Sequence, residues 1–188
     1  MPEIRGLIVQ SRLNYLEKLS DPKIMRKTLQ KLPEDIRYEI SEQIFPVNAY
    51  PFRYLSAIDE TLMEVSPLAP EELFEQIGAQ FSDLIVDRYF HLYSELGQPT
   101  RFLNLLSALY CTLWGFGEYQ PDTSEYSAHL RFFYPVSIPK SFCLFQQSFL
   151  KKSLDHCGAQ KIKLIERECM VDNKKRCVYD LEWEPGNR

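Results

Sequence analysis

The hydrophobic pattern of this chain changes period part-way along, and that change limits the fold more than any single motif. From Arg5 to Leu19 the apolar residues Leu7, Ile8, Val9, Leu13, Leu16 and Leu19 follow helical spacing, and Ile24, Met25, Leu29 and Leu32 do so after Pro22. Pro33 opens a third helix toward Ile44. Pro51 to Val65 reads as a fourth, presenting Phe52, Leu55, Ile58 and Leu62 before the prolines at 67 and 70 break it. Pro70-Glu71-Glu72 suits a new helix start through fixed φ and the macrodipole; that helix is expected to reach Leu96 and stop at Gly97, with another from Pro99 to about Trp114. Beyond Gly115 and Gly117 the pattern shortens. Ala128 to Tyr134 is aromatic-rich and strand-like, Pro139 and Ser141 introduce a helix to about Cys157, and Lys161–Cys169 and Arg176–Glu184 read as hairpin arms around residues 171–175. Helices first and strands later favour an α+β fold, with N-terminal helices packed on a C-terminal antiparallel sheet, over a parallel α/β sheet.

With 188 residues and 45% hydrophobic positions, the chain has the material for one core, and no repeat or linker divides it. The expectation is a single domain over 1–188, mainly helical over 1–117 and carrying the sheet, a helix and the hairpin over 118–188. A net charge of −4 argues against a nucleic-acid footprint, and Lys174-Lys175-Arg176 reads as a solvated turn. No apolar run approaches the about 18 residues that cross a bilayer, and the first residues lack a secretory pattern, so a cytoplasmic location is expected. Five cysteines in a reducing compartment point to free thiols or metal ligands before disulfides.

Two of those cysteines can share one small ion by hairpin geometry, and a third is a further candidate ligand. Cys169 and Cys177 sit on opposite arms of the hairpin, where cross-strand Cβ atoms come within about 4.5 to 5.5 Å. Cys143 falls near the start of the preceding helix, where the positive end of the dipole favours a thiolate. The competing reading is small core cysteines with Glu166 in solvent.

In these residues the chain resembles the 4-vinyl reductase (4VR) domain, in particular the zinc-containing sensor domains of aromatic-responsive bacterial regulators. That family places a cysteine before a helix, then Glu-x-x-Cys, then a cysteine eight positions on. Here Ser141-Phe142-Cys143 is followed by Glu166-Arg167-Glu168-Cys169, 26 positions on from Cys143 to Cys169, and then Cys177, 8 further. The resemblance implies a structural zinc held by Cys143, Glu166, Cys169 and Cys177, stapling helix to hairpin. Four protein ligands would leave no position for a catalytic water. Two departures stand out. Asn173 occupies a turn position usually held by glycine, which positive φ tolerates. Strict alternation also puts Glu166 and Cys169 on opposite faces, so the ligand set requires a bulge or a twisted strand end.

The N-terminal part is similar to a family known from myxobacteria through Ile4-Arg5-Gly6-Leu7-Ile8, Pro51-Phe52-Arg53-Tyr54-Leu55 and Trp114-Gly115-Phe116-Gly117-Glu118. The 4VR fold is in turn similar to haem nitric-oxide-binding domains and to vesicle-tethering TRAPP subunits. In the haem proteins a histidine follows a Phe-Leu-x-Asn-Leu-type helix and binds iron; here Phe102-Leu103-Asn104-Leu105 leads to Tyr110, so the resemblance implies no standard haem site. In the aromatic sensors a small apolar ligand lies between helices and sheet, which makes Tyr110, Trp114, His129, Phe133 and Tyr134 candidates for an internal pocket. Each of them also reads as plain core. His91 and His156 lack metal-spaced partners, and no phosphate loop, nucleophile elbow or Ser/His/Asp arrangement supports an enzyme. The expected function is a non-catalytic small-molecule sensor that acts as a homodimer or through a protein partner. The alternatives are a TRAPP-like interaction scaffold with a filled pocket and an accessory protein of tetrapyrrole biosynthesis.

Overall fold

The computed structural model describes residues 2–19, 22–89 and 98–186. A short strand β1 (Glu3–Arg5) leads into helix α1 (Gly6–Lys18), followed by α2 (Pro22–Lys31) and α3 (Glu34–Glu42). Strand β2 (Ala49–Pro51) returns antiparallel to β1, with Ile4 opposite Tyr50. Helices α4 (Phe52–Val65), α5 (Pro70–Tyr89) and α6 (Pro99–Trp114) complete the helical part. Then come β3 (Glu118–Thr123), β4 (Ser127–Phe133), α7 (Lys140–His156), β5 (Ala159–Glu168) and β6 (Cys177–Pro185). The four later strands form an antiparallel sheet in the order β3-β4-β6-β5. The α+β expectation is met; the expected extension of α5 to Leu96, and His91 with it, lies outside the described residues.

The sheet has one buried and one wet face because its strands alternate. On β4, Ala128, Leu130 and Phe132 point inward while His129, Arg131 and Phe133 stay half-exposed. On β6 the inward side chains are Cys177, Tyr179, Leu181 and Trp183. The register sets Phe132 opposite Cys177 and Leu130 opposite Tyr179, so the thiol end and the aromatic middle share one face.

Two contacts hold the layers in place. Helix α5 lies against α7 at Gly78, where a Cβ would sit 2.4 Å from the carbonyl oxygen of Phe145, so any larger side chain would force the helices apart. Ser148 Oγ donates to the Glu75 carbonyl at 2.6 Å, and Ser82 and Ser153 hydroxyls meet at 2.9 Å along the same seam. Further in, Arg12 of α1 meets Asp59 of α4 through Nε–Oδ1 at 2.9 Å and Nη2–Oδ2 at 3.2 Å, both side chains fully buried. Its guanidinium also lies 4.0 Å over the Phe145 ring, so one charged pair ties α1, α4 and α7 together. Helix α6 ends at Gly115, whose φ of +88° and N–H bond to the Cys111 carbonyl (2.8 Å) form a left-handed cap that turns the chain into β3.

Candidate functional site

Cys143 lies in the first turn of α7, Cys169 directly follows β5, and Cys177 opens β6. A 3-10 turn over Met170–Asp172 joins the last two, and Asn173 takes φ +61°, the left-handed conformation that asparagine tolerates. This turn folds the hairpin end over the start of α7. The Cys143 and Cys169 sulfurs are 3.6 Å apart, and all three sulfurs lie within 4.8 Å of one another in a dry environment. The Met170 backbone N–H donates to the Cys177 sulfur at 3.4 Å.

These contacts divide the thiols chemically. Hydrogen bonding from Cys143 and from the Met170 N–H lowers Cys177 to about 7 despite burial. Cys143, which donates to Cys177 and is itself buried, is pushed up, and burial raises Cys169 to about 11. The contacts favour the thiolate at Cys177 over Cys143, opposite to what the α7 dipole alone would favour.

Glu166 does not join the trio. The register of β5 on β6 shifts between Glu166 and Glu168, which supplies the required irregularity and turns Glu166 toward α7. There its carboxylate accepts from Lys140 Nζ at 2.9 Å and from the Gln147 amide. A carboxylate oxygen of Glu166 lies near Cys169 and Asp172, but the cluster of three sulfurs excludes it. Three thiols form a soft donor set here; the four-ligand site is not assembled.

The internal pocket is also corrected. Tyr110, Trp114 and Tyr134 are brought together in the interior, whereas His129 and Phe133 lie on the wet face of β4, where His129 Nδ1 is 2.7 Å from Asp180 Oδ1. Arg167 Nε binds the other Asp180 oxygen at 2.6 Å, and the two together lower Asp180 below the usual carboxylate range, His129 contributing most. His156, read as an ordinary histidine, has its Nε2 2.8 Å from Asp83 Oδ1. Around Tyr110 and Trp114 the rings pack directly on one another. Tyr110 stacks on Trp114 with centroids 4.8 Å apart and on Tyr119 at 5.6 Å. The Tyr110 hydroxyl is 2.8 Å from that of Tyr134, which donates to Gln146 Oε1 at 2.5 Å. Burial pushes both phenols up, so they stay neutral. Sequence reasoning passed over Phe132 and Gln146; the alternation of β4 was the available signal for the first, and Gln146 shares the Cys143 face of α7 at i+3. A cavity of about 350 Å³ opens elsewhere, beside Tyr126, Cys157 and Trp183, and is lined by none of the five expected ligand residues.

Helices packed on an antiparallel sheet define the fold, and the comparisons with known structures agree on it. The chain is similar to the Fe(II) unliganded H-NOX protein from K. algicida, with a TM-score of 0.77 and 11% identity, covering 98% of each chain. It is similar to the S. oneidensis H-NOX protein in the Fe(II)NO state, with a TM-score of 0.75 and 13% identity over 96% of this chain and 99% of that one. An oxygen-binding H-NOX domain related to soluble guanylate cyclases, in its oxygen complex, gives 0.71 and 14% over 98% and 97%. No protein-family profile matches the chain. Comparison with curated proteins finds no match either. The fold is that of the H-NOX domains.

That finding corrects the structural-zinc expectation. The similar proteins are described with Fe(II), and the fourth zinc ligand, Glu166, is held by Lys140 and Gln147. Among the described residues, the ring packing of this interior does not fit haem in turn. The Tyr110 hydroxyl is engaged by Tyr134, and its ring stacks on Trp114 and Tyr119. The two histidines among the described residues, His129 and His156, are paired with aspartates.

Proposed function

We propose that this chain is a non-catalytic sensory domain that reads a small thiol-reactive oxidant at Cys143, Cys169 and Cys177 and transmits the change by altered association with a second copy or a protein partner. The observation that carries this reading is the convergence of three buried sulfurs within 4.8 Å at the junction of α7 and the β5–β6 hairpin. With Cys177 lowered to about 7, one sulfur is a thiolate near neutral pH and has a neighbour to bond. A two-electron oxidant such as hydrogen peroxide would take one thiol to a sulfenic acid with release of water. A second thiol would then displace a second water to form a disulfide, the two sulfurs having lost two electrons and two protons in all. Drawing the Cys143 sulfur into a bond with Cys169 or Cys177 pulls the start of α7 against the hairpin, a movement that can change an exposed surface. The H-NOX fold over the whole chain and the 4VR-like cysteine spacing support a sensory role.

The test is light scattering of reduced and peroxide-treated protein, with dithiothreitol reversal. A reversible change in mass or in hydrodynamic radius is expected in the wild type and absent in Cys177→Ser. An unchanged wild type whose three thiols remain free after treatment would overturn the proposal. The second reading, an interaction scaffold without ligand, is favoured by the filled interior around Tyr110, and it predicts association that is indifferent to oxidation.

A further inference from the structure

The rings of the interior form a continuous path from α5 to the centre of the sheet. Phe81 meets Trp114 at 5.9 Å, Trp114 stacks on Tyr110 at 4.8 Å with planes 11° apart, and Tyr110 leads through Tyr119 to Phe132 at 4.8 Å. Phe132 then touches Tyr179 of β6 at 5.6 Å. A flat guest inserted between two rings would need their faces about 7 Å apart, twice the ~3.5 Å of carbon–carbon contact. The stack of Tyr110 on Trp114 is too close for that, and Phe149 meets Trp114 in an edge contact at 5.2 Å. Among the described residues, the polar atoms of this interior are in two states: Trp114 Nε1, Tyr119 Oη, Tyr179 Oη and Gln146 Nε2 are buried without a hydrogen-bond partner, while others are engaged. Tyr110, Tyr134 and Gln146 are bonded in series, and the buried Arg12 cation is satisfied by Asp59.

We infer that this chain keeps the H-NOX fold with its own aromatic side chains in place of a macrocyclic prosthetic group, and that it folds complete without one. Trp114 is the wedge of this arrangement: it is fully buried, touches α5, α6 and α7 through ring contacts, and stands one helical turn from Tyr110. Tyr110 is the lock, its hydroxyl joining α6 to Tyr134 after β4 and, through it, to α7. The inference is independent of the thiol reading, since it concerns residues outside the cysteine cluster.

Titration of the purified full chain with haemin tests it directly. No stoichiometric Soret band and no change in melting temperature are expected while circular dichroism shows a cooperative melt. Uptake of one haem per chain with a sharp Soret band and a raised melting temperature would overturn it. A second arm uses Trp114→Gly, which leaves an indole-sized hole in apolar surroundings of the kind that accepts aromatic guests. Free indole should raise the melting temperature of the folded variant by several degrees and leave wild type unmoved. Equal effects on both would contradict the assignment of Trp114 as the filling group. If the variant does not fold, the wild-type haemin titration decides alone.

Discussion

Cys143, Cys169 and Cys177 are as buried as Tyr110, Trp114 and Phe132, and both groups stand on the same face of the sheet, yet the two regions have different chemistry left to them. In the aromatic region each ring is covered by another ring, and the Tyr110 and Tyr134 hydroxyls are bonded to each other and to Gln146 Oε1, while the Tyr119 and Tyr179 hydroxyls are buried without a partner among the described residues. That region gains stability from area and shape. In the thiol region the contacts are long, one sulfur is driven toward its anion, and no covalent bond joins the three. Burial alone therefore does not distinguish a core from a site; the distinction lies between rings that fill space and sulfurs close enough to react with one another.

The largest test of this contrast is Trp114→Ala, expected to cost about 3–5 kcal/mol through lost transfer energy and a cavity, as read by guanidinium denaturation. A cost under about 1 kcal/mol would mean that the stack is loosely packed. Alkaline pH comes next. Burial raises the pKa of Tyr110, Tyr119, Tyr134 and Tyr179 above the ordinary phenol value. Their contribution to stability is complete below the unfolded value near 10 and is lost as pH rises beyond it, because the unfolded chain ionises first. Each should weaken the fold by up to about 1.4 kcal/mol per pH unit above that point, with phenolate absorbance from these four appearing only as the chain unfolds. Free titration of all eleven tyrosines in a folded chain would contradict this.

Tyr134→Phe should follow at about 1–2 kcal/mol, since it removes the hydroxyl between Tyr110 and Gln146 and leaves both buried groups short of a partner. Smallest of all, Glu166→Gln should change stability by less than about 1 kcal/mol, because the Lys140 pair it removes is partly exposed. It should also leave the oxidation of the thiols intact. A large loss of either would return Glu166 to the cluster.

Much of this contrast was legible in the sequence, for unequal reasons. Helices α6 and α7 and the β5–β6 hairpin were marked by Pro99, Gly115, Gly158 and strict alternation, which are local signals. The Cys169–Cys177 pair followed from the hairpin geometry, and Cys143 joined it as a candidate through its place at the start of a helix and the 4VR-like spacing. Strand β3 was missed because Pro121 and three acidic or amide residues hide a period-2 pattern on an edge strand, where proline is tolerated. β1 and β2 span three residues each and exist through their pairing with one another. Glu166 could not be placed, since its partners Lys140 and Gln147 depend on how α7 docks. His129 and Phe133 were readable and misread: they share a parity opposite to that of Ala128, Leu130 and Phe132, which puts them on the wet face.

The measurement that bears most directly on the central claim is intact-mass and peptide analysis of the wild type after one equivalent of hydrogen peroxide under native conditions. The account predicts loss of two hydrogens per chain, a disulfide linking two of Cys143, Cys169 and Cys177, and full recovery on reduction, with Cys111 and Cys157 unmodified. A disulfide that instead involves Cys111 or Cys157, or thiols that remain reduced while methionines oxidise, would contradict it.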